Sequence, residues 1–393
     1  MNKLFFIASL FSLLFLFSCE NNSTEKHDKS TANINIDLSN FDFDARLYVI
    51  NMGAKQNTIV DSLLVKNGSI ANVELELSQS PDIYILQLSQ TDIIRLIVED
   101  KDNISVKITG SPNGISYAVE GSEASQLVLD YSNLIQKHMN YHDSVYRNYR
   151  NHMGDNDMDD IRRTTDSLLK TNYVNSYNDL KKMVLANPNN LASLLGIYSK
   201  FGKTSILDFD LDFELFKVLS DSLIASYPTN THAVALFDRV SKHDEKIQLT
   251  EKKYNSLGKG NKFPSLTLKN NDNVLINIEE NSAKYKIVYL WKPNKKSFYE
   301  FNKVFRKISE NYDKKEVDII AIAFEKDMLA WRNYIRMERM GEWTNLIAEA
   351  NTEEQINPKA DYCLVYVLDA NNVILARLKS LEDLREIERI IKL

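Results

Sequence analysis

From about Ala32 to Glu120 apolar and polar positions alternate with period two. The runs "NINIDL", "ARLYVINM", "SIANVELEL", "DIYILQL", "IIRLIVED" and "NISVKITG" are short and rich in branched side chains. Turn chemistry such as Lys66-Asn67-Gly68 and Asp102-Asn103 separates them. About five to seven strands at this spacing predict an antiparallel β domain over residues 32–120, a sandwich or an open barrel. No cluster of catalytic residue types falls on these runs, so a binding or spacer role is expected.

The period changes after Gly121-Ser122. "SEASQLVLDYSNLIQKHMNYHDSVYRNY" carries apolar residues at steps of three and four, with Ser122 and Glu123 as start signals. Helices are predicted over residues 121–257. Within them, "NPNNLASLLGIYSKFG" and "YPTNTHAVALFDRV" are alike, each with a proline and a polar cap before an apolar helix. Two copies are too few for a solenoid; a compact helical insert is expected.

From Gly258 to Leu393 strands and helices alternate. "FPSLTL", "KIVYLW", "VDIIAIAF", "YCLVYVLD" and "VILARL" read as strands. "KKSFYEFNKVFRKISENY", "KDMLAWRNYIRMERM" and "SLEDLREIERIIKL" read as helices. "KIVYLW" and "VDIIAIAF" are continuous apolar runs, as strands covered on both faces should be. The amphipathic helix between them predicts a right-handed βαβ crossover.

Composition changes this picture little. A chain of 393 residues, 44% hydrophobic, supports two or three domains with their own cores. A net charge of −6 gives no strong basic face, which argues against general nucleic-acid binding.

The first residues change it more. "MNKLFFIASLFSLLFLFSC" has one early lysine and an apolar run of about fourteen residues, short for a spanning helix. Leu16-Phe17-Ser18-Cys19 resembles the lipobox of bacterial lipoproteins, which implies cleavage before a lipidated Cys19. The competing readings are an ordinary signal peptide or an uncleaved anchor. Residues 1–19 are thus the expected signal peptide and lipobox, and the polar residues 20–31 a flexible tether. Glu20 after the cysteine implies, by analogy with Gram-negative sorting rules, the outer membrane, facing the periplasm or the cell surface. The expected partners are the membrane, through the lipid, and an envelope protein. No cofactor is expected.

The cysteine count then becomes informative. There are two, Cys19 and Cys363. Lipidation consumes the first, and a single remaining thiol closes no intramolecular disulfide.

Gly260 followed by Phe263-Pro264-Ser265-Leu266-Thr267-Leu268 resembles the opening of thioredoxin-like domains of the TlpA and peroxiredoxin kind. "IVYLW" resembles their central strand, which ends just ahead of Trp-Cys-x-x-Cys. "IIAIAFEKDMLAWRNYI" with Trp331, then Gly341-Glu342-Trp343, resembles the following strand, helix and tryptophan. "LVYVLDANNVILAR" resembles the late hairpin. The resemblance covers residues 258–393 and implies a thioredoxin-like α/β domain. The whole arrangement resembles a recurrent class of Gram-negative lipoproteins.

The resemblance fails where chemistry is due. Laying Trp291 on the family tryptophan puts the nucleophilic cysteine at about Lys295 and the resolving one at about Phe298. Thiol–disulfide exchange needs a thiolate to attack and a second thiol to release the mixed disulfide. Lysine and phenylalanine do neither. The family's cis-proline falls near Cys363. Trp291, Pro293, Lys295, Lys296, Phe298 and Cys363 therefore mark a degenerate site. Cys363, ahead of "LVYVL", is expected to be a buried small hydrophobe rather than a relocated nucleophile.

Other constellations are weaker. His138 and His142 share a helix face at the spacing of zinc ligands, with His152 nearby, but no third ligand follows from the pattern. "DNDMDD" sets Asp155, Asp157 and Asp159 at alternate positions, echoing a calcium loop that has Asp160 where glycine is needed. Solvated helix faces are the plainer reading of both. Lys292, Lys295 and Lys296 crowd a helix start, where cations oppose the dipole and anions are drawn. They are candidates for an anion site or a relic of the lost one.

These observations predict a multidomain envelope lipoprotein with β, helical and thioredoxin-like parts, whose redox-inactive C-terminal domain serves binding or assembly. The alternatives are a thiol–disulfide oxidoreductase and a metal- or anion-binding periplasmic module.

Overall fold

Period-two alternation becomes β1 (Thr31–Phe41), where Ala32, Ile34, Ile36 and Leu38 are buried and Asn33, Asn35 and Asp37 turn outward. The computed structural model describes residues 30–41, 44–66, 68–111, 114–153, 157–292 and 296–392. The chain divides into two compact units, Met1–Asp238 and Arg239–Leu393. The expected signal peptide, Cys19, most of the tether and Asp155 lie outside the described residues. Among those described, no helix is long and apolar enough to cross a membrane.

The first unit continues with β2 (Ala45–Met52), β3 (Asn57–Val65), β4 (Ile70–Glu76), β5 (Asp82–Gln87), β6 (Ile93–Val98), β7 (Asn103–Ser111) and β8 (Gly114–Glu120). They form two four-stranded sheets, ordered β4-β1-β7-β8 and β3-β2-β5-β6. Inward residues of both sheets, among them Ile34, Ile36, Val49, Tyr84, Leu96 and Val106, share one core, so the sheets form a sandwich.

One pair corrects the expectation of an antiparallel domain. β1 runs parallel to β7, with Ile34 beside Ile104 and Ile36 beside Val106. Alternation within a run says that a strand exists and which face it buries. It does not say which strand lies alongside or in which direction.

The sheet containing β5 and β6 is buried on its second face as well, at Ile83, Ile85 and Ile97. Helices cover that face, beginning with α1 (Glu123–Asn151), capped by Ser122, whose hydroxyl accepts from the Ser125 amide. Ser125 ties the helix to the sheet: its Oγ donates to the Ile97 carbonyl at 2.7 Å and accepts from the Ile97 amide at 2.9 Å. Gly121 makes the entry possible. Its φ is +87°, and a Cβ there would stand 2.3 Å from the Asn103 carbonyl oxygen.

α2 (Met158–Ala186), α3 (Ala192–Ile197), a short hairpin of β9 (Lys200–Phe201) and β10 (Thr204–Ser205), α4 (Phe213–Ser226) and α5 (Thr231–Ser256) follow. The two look-alike segments are not repeats: one is the six-residue α3, the other opens the 26-residue α5. Asn230 starts α5, its Oδ1 accepting from the His232 amide while its Nδ2 donates to the Pro81 carbonyl.

α5 runs across the division. In the second unit its Tyr254 ring takes Arg377 at 3.6 Å, Lys359 at 4.1 Å and Lys379 at 4.8 Å from the centroid. The remaining elements are β11 (Thr267–Asn270), β12 (Leu275–Asn277), β13 (Tyr285–Trp291), α6 (Lys296–Asn311), β14 (Val317–Ala323), α7 (Met328–Met337), β15 (Thr344–Ile347), α8 (Thr352–Ile356), β16 (Leu364–Asp369), β17 (Ile374–Leu378) and α9 (Arg385–Ile391). They build a mixed sheet ordered β12-β11-β15-β14-β13-β16-β17.

β13 lies inside this sheet, parallel to β14 and antiparallel to β16. Its side chains alternate between two cores. Ile287, Tyr289 and Trp291 join the one that contains residues of α6, α7 and α9; Val288 and Leu290 join the other, with Phe263 and Leu266. This is why its sequence is an unbroken apolar run.

Lys286, at the start of β13, is wholly buried, its Nζ donating to the Asn281 and Ala370 carbonyls, each at 3.1 Å. Burial pulls its ammonium below the ordinary 10.5, against the opposing charge of Asp369. The unfolded chain then holds this proton to higher pH than the folded one, so unfolding takes up protons in the window just below 10.5. Stability should rise with pH there, and Lys286→Met should remove that rise. Urea melts of both proteins from about pH 8 to about pH 10 check this; parallel profiles would assign the pH dependence elsewhere.

Candidate functional site

The site implied by the sequence sits where β13 ends. Trp291 is its last residue and α6 begins at Lys296. Pro293 and Lys295 lie outside the described residues, as does the Lys296 side chain. On α6, Phe298, Phe301, Phe305 and Ile308 recur at steps of three and four, and all four are buried. That stripe lays the helix on the sheet.

Phe298 stacks on Trp291 with ring centroids 4.5 Å apart and planes 13° from parallel. Tyr334 of α7 closes edge-on against both rings, at 6.4 Å from each. Both stacked rings have no measurable exposure. Aromatic packing fills the space between the end of β13, α6 and α7.

Cys363 belongs to the same core. It lies just before β16, is 2% exposed, and its amide donates to the Leu290 carbonyl at 2.9 Å. Its φ is +70°, in the left-handed region. No cis peptide stands here; among the described residues the cis bond is Ser80–Pro81. The Tyr289 hydroxyl is buried without a well-formed hydrogen bond and interacts with the Cys363 thiol. Burial first, and then that thiol, hold the Tyr289 phenol well above its ordinary range. The indole N–H of Trp291 is likewise buried with no partner. The Cys363 thiol is thus enclosed in the core of this unit.

The structure thus brings Trp291, Phe298 and Cys363 into one core and leaves Lys292 outside it. Lys292 is exposed, its Nζ 4.9 Å from the centroid of the Tyr362 ring. Tyr362 in turn donates its hydroxyl to Glu353 on α8. Burial, then that hydrogen bond and the Glu353 charge, push its pKa to about 12. Lys292 is therefore engaged with a ring beside a carboxylate.

The histidines do not converge. His138 is buried, its Nδ1 2.9 Å from Asn172 Oδ1 and its Nε2 3.1 Å from Asp179 Oδ2, both on α2. It fastens α1 to α2. His142 turns to Asp143 at 3.3 Å and sets its ring edge-on to Phe201. Asp159 pairs with Arg162 at 3.4 Å within the first turn of α2, and Asp157 precedes that helix without a side-chain cap. Among the described residues no group of three or more potential ligands is placed to hold a metal ion.

Sequence reasoning passed over Tyr289, although period two along "KIVYLW" puts it on the same face as Trp291. It also passed over Lys286, whose signal was a charge opening an otherwise apolar run.

No family model matches the chain, and no curated protein does. Solved structures similar to part of it include a thiol:disulfide interchange protein from a Bacteroides species, 15% identical, covering 35% of this chain and 92% of that one, with a TM-score of 0.32. Another is the thioredoxin domain of a thiol-disulfide oxidoreductase from Bacteroides vulgatus, 13% identical over 34% of this chain and 97% of that one, TM-score 0.31. A thiol-disulfide oxidoreductase from Bacteroides fragilis is 17% identical over 33% of this chain and 98% of that one, TM-score 0.30.

Proposed function

We propose that the chain is an envelope lipoprotein, anchored through Cys19, whose thioredoxin-like C-terminal unit serves binding or assembly rather than thiol–disulfide exchange. Support for the thioredoxin-like reading comes from the order of its parts. A central strand, a helix, a parallel neighbour and a late antiparallel hairpin occur as β13, α6, β14 and β16–β17. One observation carries the non-redox reading: the resolving position is Phe298, stacked on Trp291, while the remaining thiol is sealed beside Tyr289. Anchoring rests on the lipobox residues alone.

The thiol is the test. In the folded chain Cys363 should react with an aromatic disulfide reagent only as fast as the chain opens, and at once in denaturant. A Cys19→Ser background removes the other thiol. Rapid labelling under native conditions would mean an accessible nucleophile and overturn the non-redox reading.

A further inference from the structure

A cavity on the second unit, about 690 Å³, is lined by Arg332, Arg336, Arg339, Ile335, Gly341, Asn271 and Asp272. Three of its linings are arginines in a chain whose net charge is −6. Arg332 and Arg336 stand one turn apart on α7, so they share a face. Arg339 follows the helix in the left-handed conformation, φ +54°, as the residue that closes its C-terminus, with the Met340 amide donating to the Ile335 carbonyl at 2.9 Å. Across the cavity, the turn joining β11 and β12 supplies Asn271 and Asp272.

Two of the three arginines are held by hydrogen bonds. Arg332 donates its Nε to the Asn271 carbonyl at 3.1 Å, which fixes the stem and leaves two terminal amino groups of the fork. Arg336 donates to the Asn333 side chain at 2.9 Å. Among the described residues none of the three forms an ion pair, and Asp272 is the one carboxylate in the lining. Elsewhere in this unit Arg306 is matched with Glu338 at 3.6 Å and Arg377 with the Tyr254 ring. Gly341 leaves the rim open: a Cβ built there meets nothing within 4 Å.

Guanidinium forks recognise planar or tetrahedral oxyanions through paired N–H groups, and clustered like charges repel unless an anion joins them. We propose that this cavity binds a ligand carrying more than one oxyanion group, phosphate or carboxylate, clamped by Arg332, Arg336 and Arg339. Lys292, at the end of β13, is not among the cavity's lining residues.

Thermal melts of the full chain decide it, with pyrophosphate and citrate as the two probes and chloride matching the ionic strength. At least one probe should raise the melting temperature saturably above chloride, since a ligand bound only to the folded chain stabilises it by mass action. Whichever probe acts names the group preferred. Arg336→Gln with Arg339→Gln should abolish that shift, and Arg336→Gln alone should weaken it. Lys295→Gln with Lys296→Gln should leave it intact. No shift with either probe, or a full shift in the arginine variants, overturns the proposal.

Discussion

Phe298→Ala should cost the chain about 3–5 kcal/mol, the range for removing a fully buried aromatic ring. The loss has two parts. The first is the transfer energy of the ring, which has no measurable exposure. The second is the cavity left against Trp291 and Tyr334, whose rings cannot all move into it because Trp291 is fixed in the strand and stacks at 4.5 Å. Phe298→Leu should lose roughly half as much, since it refills part of the volume. Urea melts of the two variants measure this. A loss below about 1 kcal/mol for alanine would mean that the stack is not packed as described.

Gly121→Ala should cost about 2–5 kcal/mol, from left-handed strain and overpacking together. The added methyl meets the Asn103 carbonyl oxygen at 2.3 Å, a backbone atom held in the β7 ladder. Relief requires moving the start of α1 off the sheet, where Ser122 and Ser125 are bonded to Ile97. Gly202→Ala is the control. Its φ is +62° with nothing within 4 Å of the new methyl, so only the strain remains. Equal losses for the two glycines would show that contact with Asn103 contributes nothing.

Much of the fold was legible in the sequence because it is local. The two-residue period of "NINIDL", the four-residue steps of "SEASQLVL" and the apolar run of "KIVYLW" each report burial on a face, and burial is what the structure shows there. The parallel pairing of β1 with β7 was not legible, because it joins residues about seventy apart by hydrogen bonds that any sequence can make. β15, only four residues long, gives too short a pattern to stand out.

The candidate site divides the same way. The burial of Phe298 was readable in the stripe of Phe298, Phe301, Phe305 and Ile308, a pattern that the sequence reading passed over. His138 and His142 share a helical face in sequence, but their rings part: one is drawn to Asn172 and Asp179 on α2, the other stays near solvent. Spacing alone cannot express that choice. The arginine cavity was hidden because its parts come from Asn271 to Gly341 and meet only through the sheet.

On the proposed reading, the C-terminal unit has a thioredoxin-like frame without the exchange chemistry. Insulin reduction with dithiothreitol as reductant tests it most directly, comparing the full chain, a Cys363→Ser variant and a blank. The same rate of insulin precipitation is expected in all three, because one enclosed thiol has no partner to release a mixed disulfide. A rate above the blank that disappears in Cys363→Ser would contradict it.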